Sequence, residues 1–235
     1  IMPECRDKER TTTMELEFER DTLQGYDTVA ELTLCQEETL ESIVPDACPD
    51  ILRIVDVCGQ AMLHSKQIKA GAVELGGMVR AVILYEPDGG AGLRRMEVGL
   101  PFRCQAEAPG LTEQGRVLAR PRLRCAEARA LNSRKVLLRV DLAVDVTACQ
   151  SVEQPLCRGV LDPEKSAVCQ RCQSQSCGLL SAVEEKPFTF SQRVRLPAGQ
   201  GEPPQVMALW AETECGECKR VGAKLIFKGE AELHM

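Results

Sequence analysis

Residues 136–146, VLLRVDLAVDV, decide the fold class, because apolar and polar side chains alternate along them. The even positions are all valine or leucine, and Arg139, Asp141 and Asp145 stand at odd ones. A period of two places successive side chains on opposite faces of a strand. The stretch therefore predicts a strand with one buried face and one wet face. Similar alternation runs from about residue 14 to residue 147 and favours an all-β chain of antiparallel sheets.

The residues that precede this strand predict a hairpin. Asn132-Ser133 separates residues 116–130 from residues 134–147, and a short polar turn between two alternating runs is typical of antiparallel pairing. Matching the apolar faces gives a register in which paired residue numbers sum to 265. The predicted pairs are Leu123 with Leu142, Cys125 with Val140, Arg124 with Asp141, and Arg120 with Asp145.

Two further features fit this all-β pattern. Residues 86–90, EPDGG, lie between two alternating runs and predict a second hairpin turn. Arg120, Arg122 and Arg124 share one strand face, which we interpret as solvated and partly neutralised by the next strand. A basic patch for an anionic partner is the alternative.

The composition argues against several classes of function. The chain has 235 residues, and its 29 basic and 35 acidic side chains are mixed, without the basic stripe that nucleic-acid binding needs. No apolar stretch reaches the roughly 20 residues that span a bilayer, and the charged residues 4–10 are unlike a signal peptide. We therefore expect synthesis in a cytoplasm without a signal peptide, and no nucleic-acid or membrane partner.

The chain offers no recognisable catalytic constellation. Its two histidines, His64 and His234, stand in no known motif. We interpret Asp46 and Asp50 as turn residues, because the prolines beside them exclude a continuous helix. We expect neither an enzyme nor a small-molecule substrate.

The chain contains 13 cysteines, which is unusual for a cytoplasmic protein, and an odd number cannot all pair within one chain. Four lie in alternating runs, where a cysteine commonly serves as a small buried hydrophobe: Cys35, Cys58, Cys104 and Cys125. The cysteines of tails and linkers are candidates for disulfides between chains. They are Cys5, Cys149, Cys157, Cys169, Cys172 and Cys177.

Two cysteine pairs have the two-residue gap that lets two thiolates share a zinc ion. They are Cys169 with Cys172 and Cys215 with Cys218. The interval between the pairs is about twice that of a usual zinc ribbon, and Cys177 would be left over. We therefore favour disulfides or free thiols and keep a zinc site as the alternative. No other cofactor is expected.

The alternation divides the chain into four predicted segments. Residues 1–24 are an N-terminal extension, 25–148 a β-sandwich-like domain, 149–184 a cysteine-rich linker and 185–235 a second, partial β module. The last segment matches the earlier domain at an offset of 152 residues, for example Gly229 with Gly77. The match ends at Met235, so we expect the second module to lack strands that the first one has.

Three stretches together carry a family resemblance. They are Pro45-Asp46-Ala47-Cys48-Pro49-Asp50-Ile51, the run from Gly77 to Tyr85, and Leu131-Asn132-Ser133-Arg134-Lys135-Val136. They resemble the SPOCS domain of clostridial spore-coat morphogenetic proteins of the SipL type. The resemblance covers about residues 25–147, and residues 185–235 look like the first half of another copy. It implies a β-rich interaction module used in building spore envelopes, although no LysM-like segment accompanies it here.

The resemblance implies a place at the spore surface, in the coat, the exosporium or an appendage, after synthesis in the mother-cell cytoplasm. We expect a structural protein that assembles with other copies of itself, with other spore-coat proteins as further partners. The alternatives are a monomeric adaptor that docks another coat protein through a sheet edge, and a zinc-binding interaction module. Alternation at Met14, Leu16 and Phe18 predicts a donor strand that completes the second module of another copy.

Overall fold

The computed structural model describes residues 16–90, 92–161, 169, 171, 173–193 and 206–235. These residues form eight strands and no helix, which confirms the prediction of an all-β chain. The strands are β1 (Phe18–Ile43), β2 (Ile51–Lys69), β3 (Ala72–Pro87), β4 (Arg94–Glu107), β5 (Arg116–Asn132), β6 (Lys135–Val160), β7 (Trp210–Val221) and β8 (Lys224–His234). None of the described residues belongs to a helix that could cross a membrane.

The strands form three antiparallel sheets. Their strand orders are β1-β6-β5, β2-β3-β4 and β7-β8. One buried cluster takes apolar side chains from both three-stranded sheets, including Leu138 of β6 and Ile83 of β3. Burial of each such side chain stabilises the fold by about 1.5–3 kcal/mol. Two sheets that share a core are what a sandwich requires, and the sandwich-like arrangement itself stays a prediction.

The hairpin of β5 and β6 has the predicted register over half of its length. Paired residue numbers sum to 265 from Arg116 to Leu123 and to 266 from Cys125 to Ala130. A bulge between Leu123 and Cys125 causes the change, because it inserts one extra residue into β5. The predicted register is therefore confirmed on the side of the bulge away from the turn, and it is wrong on the turn side.

The bulge changes the individual pairs around it. The confirmed pairs are Leu123 with Leu142 and Arg120 with Asp145, and the wrong ones are Cys125 with Val140 and Arg124 with Asp141. Cys125 faces Asp141 instead. The Arg124 guanidinium still lies 3.8 Å from the Asp141 carboxylate, because its long side chain reaches across the bulge.

The wet face of this hairpin carries connected charged contacts. Arg122 donates to Asp145 from Nε to Oδ2 at 2.8 Å and from Nη2 to Oδ1 at 3.0 Å. The Thr33 hydroxyl of β1 donates to Asp145 Oδ1 at 2.8 Å. Arg122 and Arg124 both have carboxylate partners, so the prediction of a partly neutralised face is confirmed.

Acid is expected to weaken the contact at Asp145. Hydrogen bonds, first from Arg122 and then from Thr33, lower the pKa of Asp145 below its ordinary value of 3.8. With a lowered pKa, ionised Asp145 stabilises the fold above about pH 4, and this contribution is lost as the pH falls through the folded-state pKa. Between about pH 5 and pH 3, the free energy of unfolding in urea should therefore fall less for Asp145→Asn than for the wild type. The difference should be under about 1 kcal/mol, because exposed ion pairs are weak. Equal acid sensitivity of the two proteins would contradict this account.

Strand β6 continues beyond the end that the sequence predicts for the first domain. It runs to Val160, so residues 149–160 are strand where a linker was predicted. From Ser151 to Arg158 nearly every side chain is exposed, which explains why this part shows no alternation. The described residues divide into two compact units, one within residues 28–150 and 184–235 and one within residues 16–27 and 151–183.

The smaller unit contains the beginning of β1 and the end of β6. Leu161 N donates to Glu17 O at 2.8 Å. Tyr26 N donates to Leu180 O at 2.8 Å, which attaches the segment after β6 to β1. A Cβ atom on Gly25 would lie 3.0 Å from the Leu179 side chain, so the glycine allows this close packing.

Candidate functional site

The stretches that carry the family resemblance meet around one side chain, Arg134. Its Nη1 donates to the Cys48 carbonyl at 2.7 Å and to Asp50 Oδ1 at 3.2 Å. Its Nη2 donates to the Val44 carbonyl at 2.9 Å and to Asp46 Oδ1 at 3.2 Å. Both carboxylates that were interpreted as turn residues therefore bind the same guanidinium. We call these five residues the Arg134 clamp; it ties the loop between β1 and β2 to the turn between β5 and β6.

Two further hydrogen bonds join the loop of the clamp to neighbouring strands and turns. Val44 N donates to Arg134 O at 2.9 Å, so these two residues are joined through their backbones as well as through the Arg134 side chain. Tyr85, at the end of the second motif stretch, donates its hydroxyl to Pro49 O at 3.2 Å. Burial raises the pKa of Tyr85, and the Cys48 thiol beside it adds to the rise. Every residue of the clamp has a hydrogen-bond partner within it, which is the behaviour of a structural junction.

The hairpin of β7 and β8 repeats the backbone pairing of β2 and β3. Both hairpins have a two-residue turn, with Lys69 opposite Ala72 in the first and Val221 opposite Lys224 in the second. These two pairs lie 152 residues apart, which is the offset predicted from the sequence. The second hairpin therefore has the register that the internal repeat predicts.

Both hairpins also contain the same irregularity. A bulge follows Leu63 in β2 and Cys215 in β7, again 152 residues apart. The glycine opposite the bulge is Gly77 in one hairpin and Gly229 in the other. At each glycine a Cβ atom would lie 2.2 Å from a carbonyl oxygen of the facing strand, so only glycine fits. Sequence reasoning matched the two glycines but missed the bulges, which have no residue signature of their own.

The two hairpins differ in what covers them. Val73 and Leu75 of β3 are 0% and 2% exposed, because they face the buried cluster. Their counterparts in β8, Leu225 and Phe227, are 61% and 65% exposed. At its second edge β3 pairs with β4, whereas β8 pairs with β7 alone in the part of the chain that the structure describes. We call the free edge and the apolar face of β8 the β8 surface.

The structure separates the cysteines that were predicted to link chains. Cys157, Cys169 and Cys177 are exposed. Cys149 is only 2% exposed, with its thiol 3.9 Å from the Thr28 hydroxyl, because β6 continues through the predicted linker boundary. Its placement in a flexible segment is therefore wrong. Two further candidates lie outside the described residues: Cys5 and Cys172.

The cysteines predicted to be buried hydrophobes are more exposed than expected. Cys58 and Cys104 are half-buried, and burial raises the pKa of both thiols. Cys35 and Cys125 are exposed on β1 and β5, so the prediction is wrong for these two. The Cys35 thiol accepts a hydrogen bond from Arg124 Nη1 at 3.7 Å.

The structure describes only some of the cysteines of the alternative zinc site. Cys215 and Cys218 lie on β7, and the Cys215 thiol is 3.6 Å from the Glu217 carbonyl oxygen. Cys169 is exposed, and Cys172 is outside the described residues. Within residues 16–90, 92–161 and the later described segments, no three Cys, His, Asp or Glu side chains are placed to hold a metal ion. Zinc therefore stays an alternative.

The predicted donor strand overlaps the first strand of the chain itself. Phe18 is the first residue of β1, which lies beside β6 in the sheet. Leu16 precedes β1 and is partly exposed, and Met14 lies outside the described residues. A donor strand that includes Phe18 would have to give up its pairing with β6.

The geometry thus provides two surfaces of different character. The Arg134 clamp is satisfied by its own contacts, whereas the β8 surface has an edge and a face without a partner in the described chain. Comparisons with protein-family models, curated proteins and solved structures find no match to this chain. Because its edge and its apolar face have no partner in the described chain, the β8 surface is the candidate functional site.

Proposed function

We propose that this chain is a structural, self-assembling protein of the bacterial endospore surface, in a coat layer or a fibrous appendage. The observation that carries the proposal is the β8 surface, where counterparts of buried β3 residues are exposed beside a strand edge that none of the described strands pairs with. Unpaired edges and contiguous apolar faces promote association between chains. The spore surface as the location rests on the resemblance of three stretches to the SPOCS domain.

Two kinds of contact support assembly in this proposal. Strand pairing at β8 supplies main-chain hydrogen bonds between copies. Disulfides between exposed cysteines, such as Cys157, Cys169 and Cys177, then make the contacts permanent. Each disulfide forms when two thiols give up two protons and two electrons to molecular oxygen in the oxidising surroundings of the spore.

The leading alternative is a monomeric adaptor that uses the same free edge to dock another coat protein. The edge alone fits either role, because strand addition accepts a foreign strand as readily as a second copy. A zinc-binding module is the third candidate, and metal analysis of the purified protein tests it. Self-assembly is favoured over the adaptor by the exposed cysteines, which a monomeric adaptor does not need.

Non-reducing peptide mapping of material isolated from spores tests the covalent part of the proposal. We expect interchain disulfides at one or more of Cys157, Cys169 and Cys177, and a ladder of multimers on denaturing gels that reductant collapses. Cys149 should remain a free thiol and react with iodoacetamide only after unfolding, because it is buried in β6. Pairs confined to single chains, with one monomeric band in both lanes, would favour the adaptor.

A further inference from the structure

The β8 surface can pair with a copy of itself. We infer that β8 of one chain pairs antiparallel with β8 of a second copy, with Gly229 facing Gly229, so that two hairpins form one four-stranded sheet. The inference rests on the proposed self-assembly and names the contact through which it begins. Residues at equal distances from Gly229 on its two sides then face each other across the new edge.

The charges on β8 are self-complementary in this register. Lys228 of each copy faces Glu230 of the other, so that pairing creates two cross-strand ion pairs. Sliding the partner by two residues brings Lys228 opposite Lys228 in one direction and Glu230 opposite Glu230 in the other, so either shift adds a pair of like charges even though Glu232 then faces a lysine. Sliding it by one residue places Phe227 opposite a glutamate, whereas in the proposed register Ile226 is the apolar residue that faces one, Glu232. The sequence of β8 therefore favours a single register.

The apolar side chains match in the same register. Leu225 faces Leu233 of the second copy, and Phe227 faces Ala231. All four positions lie on the strand face that carries the counterparts of the buried β3 residues. Pairing therefore joins the apolar faces of two hairpins into one continuous surface.

The glycine at the centre of the pair also gains a cover. Phe227 lies diagonally opposite Gly229 of the second copy, a distance that an aromatic ring can reach. In the sheet of β2, β3 and β4 an aromatic ring covers the equivalent glycine from the directly opposite position, because a Cβ atom on Gly77 would lie 2.4 Å from the Phe102 ring of β4. An aromatic ring on the neighbouring strand thus shields the glycine opposite the bulge in the complete sheet.

The N-terminal segment of another copy is the competing occupant of this edge. Its Phe18 already belongs to β1, and Leu161 N donates to Glu17 O in the same chain at 2.8 Å. Insertion beside β8 would break that pairing at its end. The free edge of β8 has no strand partner in the described chain, so self-pairing displaces no backbone hydrogen bond.

Charge-reversal variants at positions 228 and 230 test the inference. In a dimer of either single variant, Lys228→Glu or Glu230→Lys, both cross-strand ion pairs become pairs of like charges. The double variant restores opposite charges at unchanged net charge, and an equimolar mixture of the two single variants does the same. Glu113→Lys, an exposed reversal in the loop between β4 and β5, controls for net charge. Self-association of the full 235-residue chain is measured by analytical ultracentrifugation in reductant, so that disulfides do not contribute.

We expect each single variant to raise the dissociation constant of self-association about tenfold or more, since both cross-strand ion pairs of the dimer become pairs of like charges. The double variant, the mixture and Glu113→Lys should stay within about threefold of the wild type. Trp210, the single tryptophan, stacks on His234 with ring centroids 5.2 Å apart, so its fluorescence reports whether the hairpin is folded in each variant.

The possible outcomes separate this inference from the proposed function. Unchanged association of the single variants, or a mixture that fails to recover, would overturn β8 self-pairing and leave self-assembly in place. Loss of association on deletion of residues 1–15 would assign the edge to the N-terminal segment and also overturn the inference. A wild-type chain that remains monomeric at every concentration, with and without reductant, would reject the proposed function itself.

Discussion

Gly77→Ala should lower the free energy of unfolding by about 3 kcal/mol, which corresponds to a fall in Tm of about 6–12 °C for a chain of this size. The new Cβ would lie 2.2 Å from the Met62 carbonyl oxygen and 2.4 Å from the Phe102 ring. A backbone oxygen cannot move away as a flexible side chain can, so β2 and β3 must separate at the bulge. Thermal unfolding followed by circular dichroism measures the loss.

Gly99→Ala in the neighbouring strand β4 is the matched control. The three atoms nearest its Cβ would all belong to the Met78 side chain, with the sulfur at 3.1 Å, and that side chain can change rotamer. We expect a change within about 0.5 kcal/mol. If the two variants unfolded at the same temperature, the close approach at Gly77 would not limit the stability of this sheet.

Arg134→Ala is the second substitution with a large expected effect, a loss of about 2–4 kcal/mol. The change removes four hydrogen bonds and leaves the carbonyl groups of Val44 and Cys48 without their donor. It also leaves Asp46 and Asp50 close together without a cation between them. Arg134→Lys should give an intermediate loss, because one ammonium group cannot reproduce the planar fork of a guanidinium.

Urea unfolding of Arg134→Ala beside Arg129→Ala provides the comparison. Arg129 is an exposed arginine of β5 close to the same turn, and its removal should cost less than about 0.5 kcal/mol. Similar midpoints for the two variants would show that the clamp contributes no more than an ordinary surface arginine. A selective loss would explain physically why the three motif stretches occur together in one sequence.

Alternation predicted the strands that have one dry face, and it did so for a clear physical reason. A strand such as β6 between Val136 and Ala148 buries every second side chain, so apolar residues recur at every second position of its sequence. The continuation of β6 to Val160 was missed because a strand exposed on both faces has no reason to alternate. The placement of Cys149 in a linker was wrong for the same reason.

Contacts between distant parts of the sequence were the other limit of prediction. The Arg134 clamp joins residues about 90 positions apart, and the sequence marks its members only as three separate stretches. The bulge at Arg124 was also missed, because inserting one residue changes the pairing without changing the composition of either strand. The offset of 152 residues was easier to predict, because both hairpins keep their turn and their glycine at the same spacing.

The bulge and glycine shared by the two hairpins bear on the ancestry of the chain. Both features recur at the same separation, so the two segments have diverged without a net insertion or deletion between the bulge and its glycine. A tandem duplication of one gene segment accounts for this agreement. Of the two copies, the first has kept these positions buried, at Val73 and Leu75, whereas the second exposes them at Leu225 and Phe227.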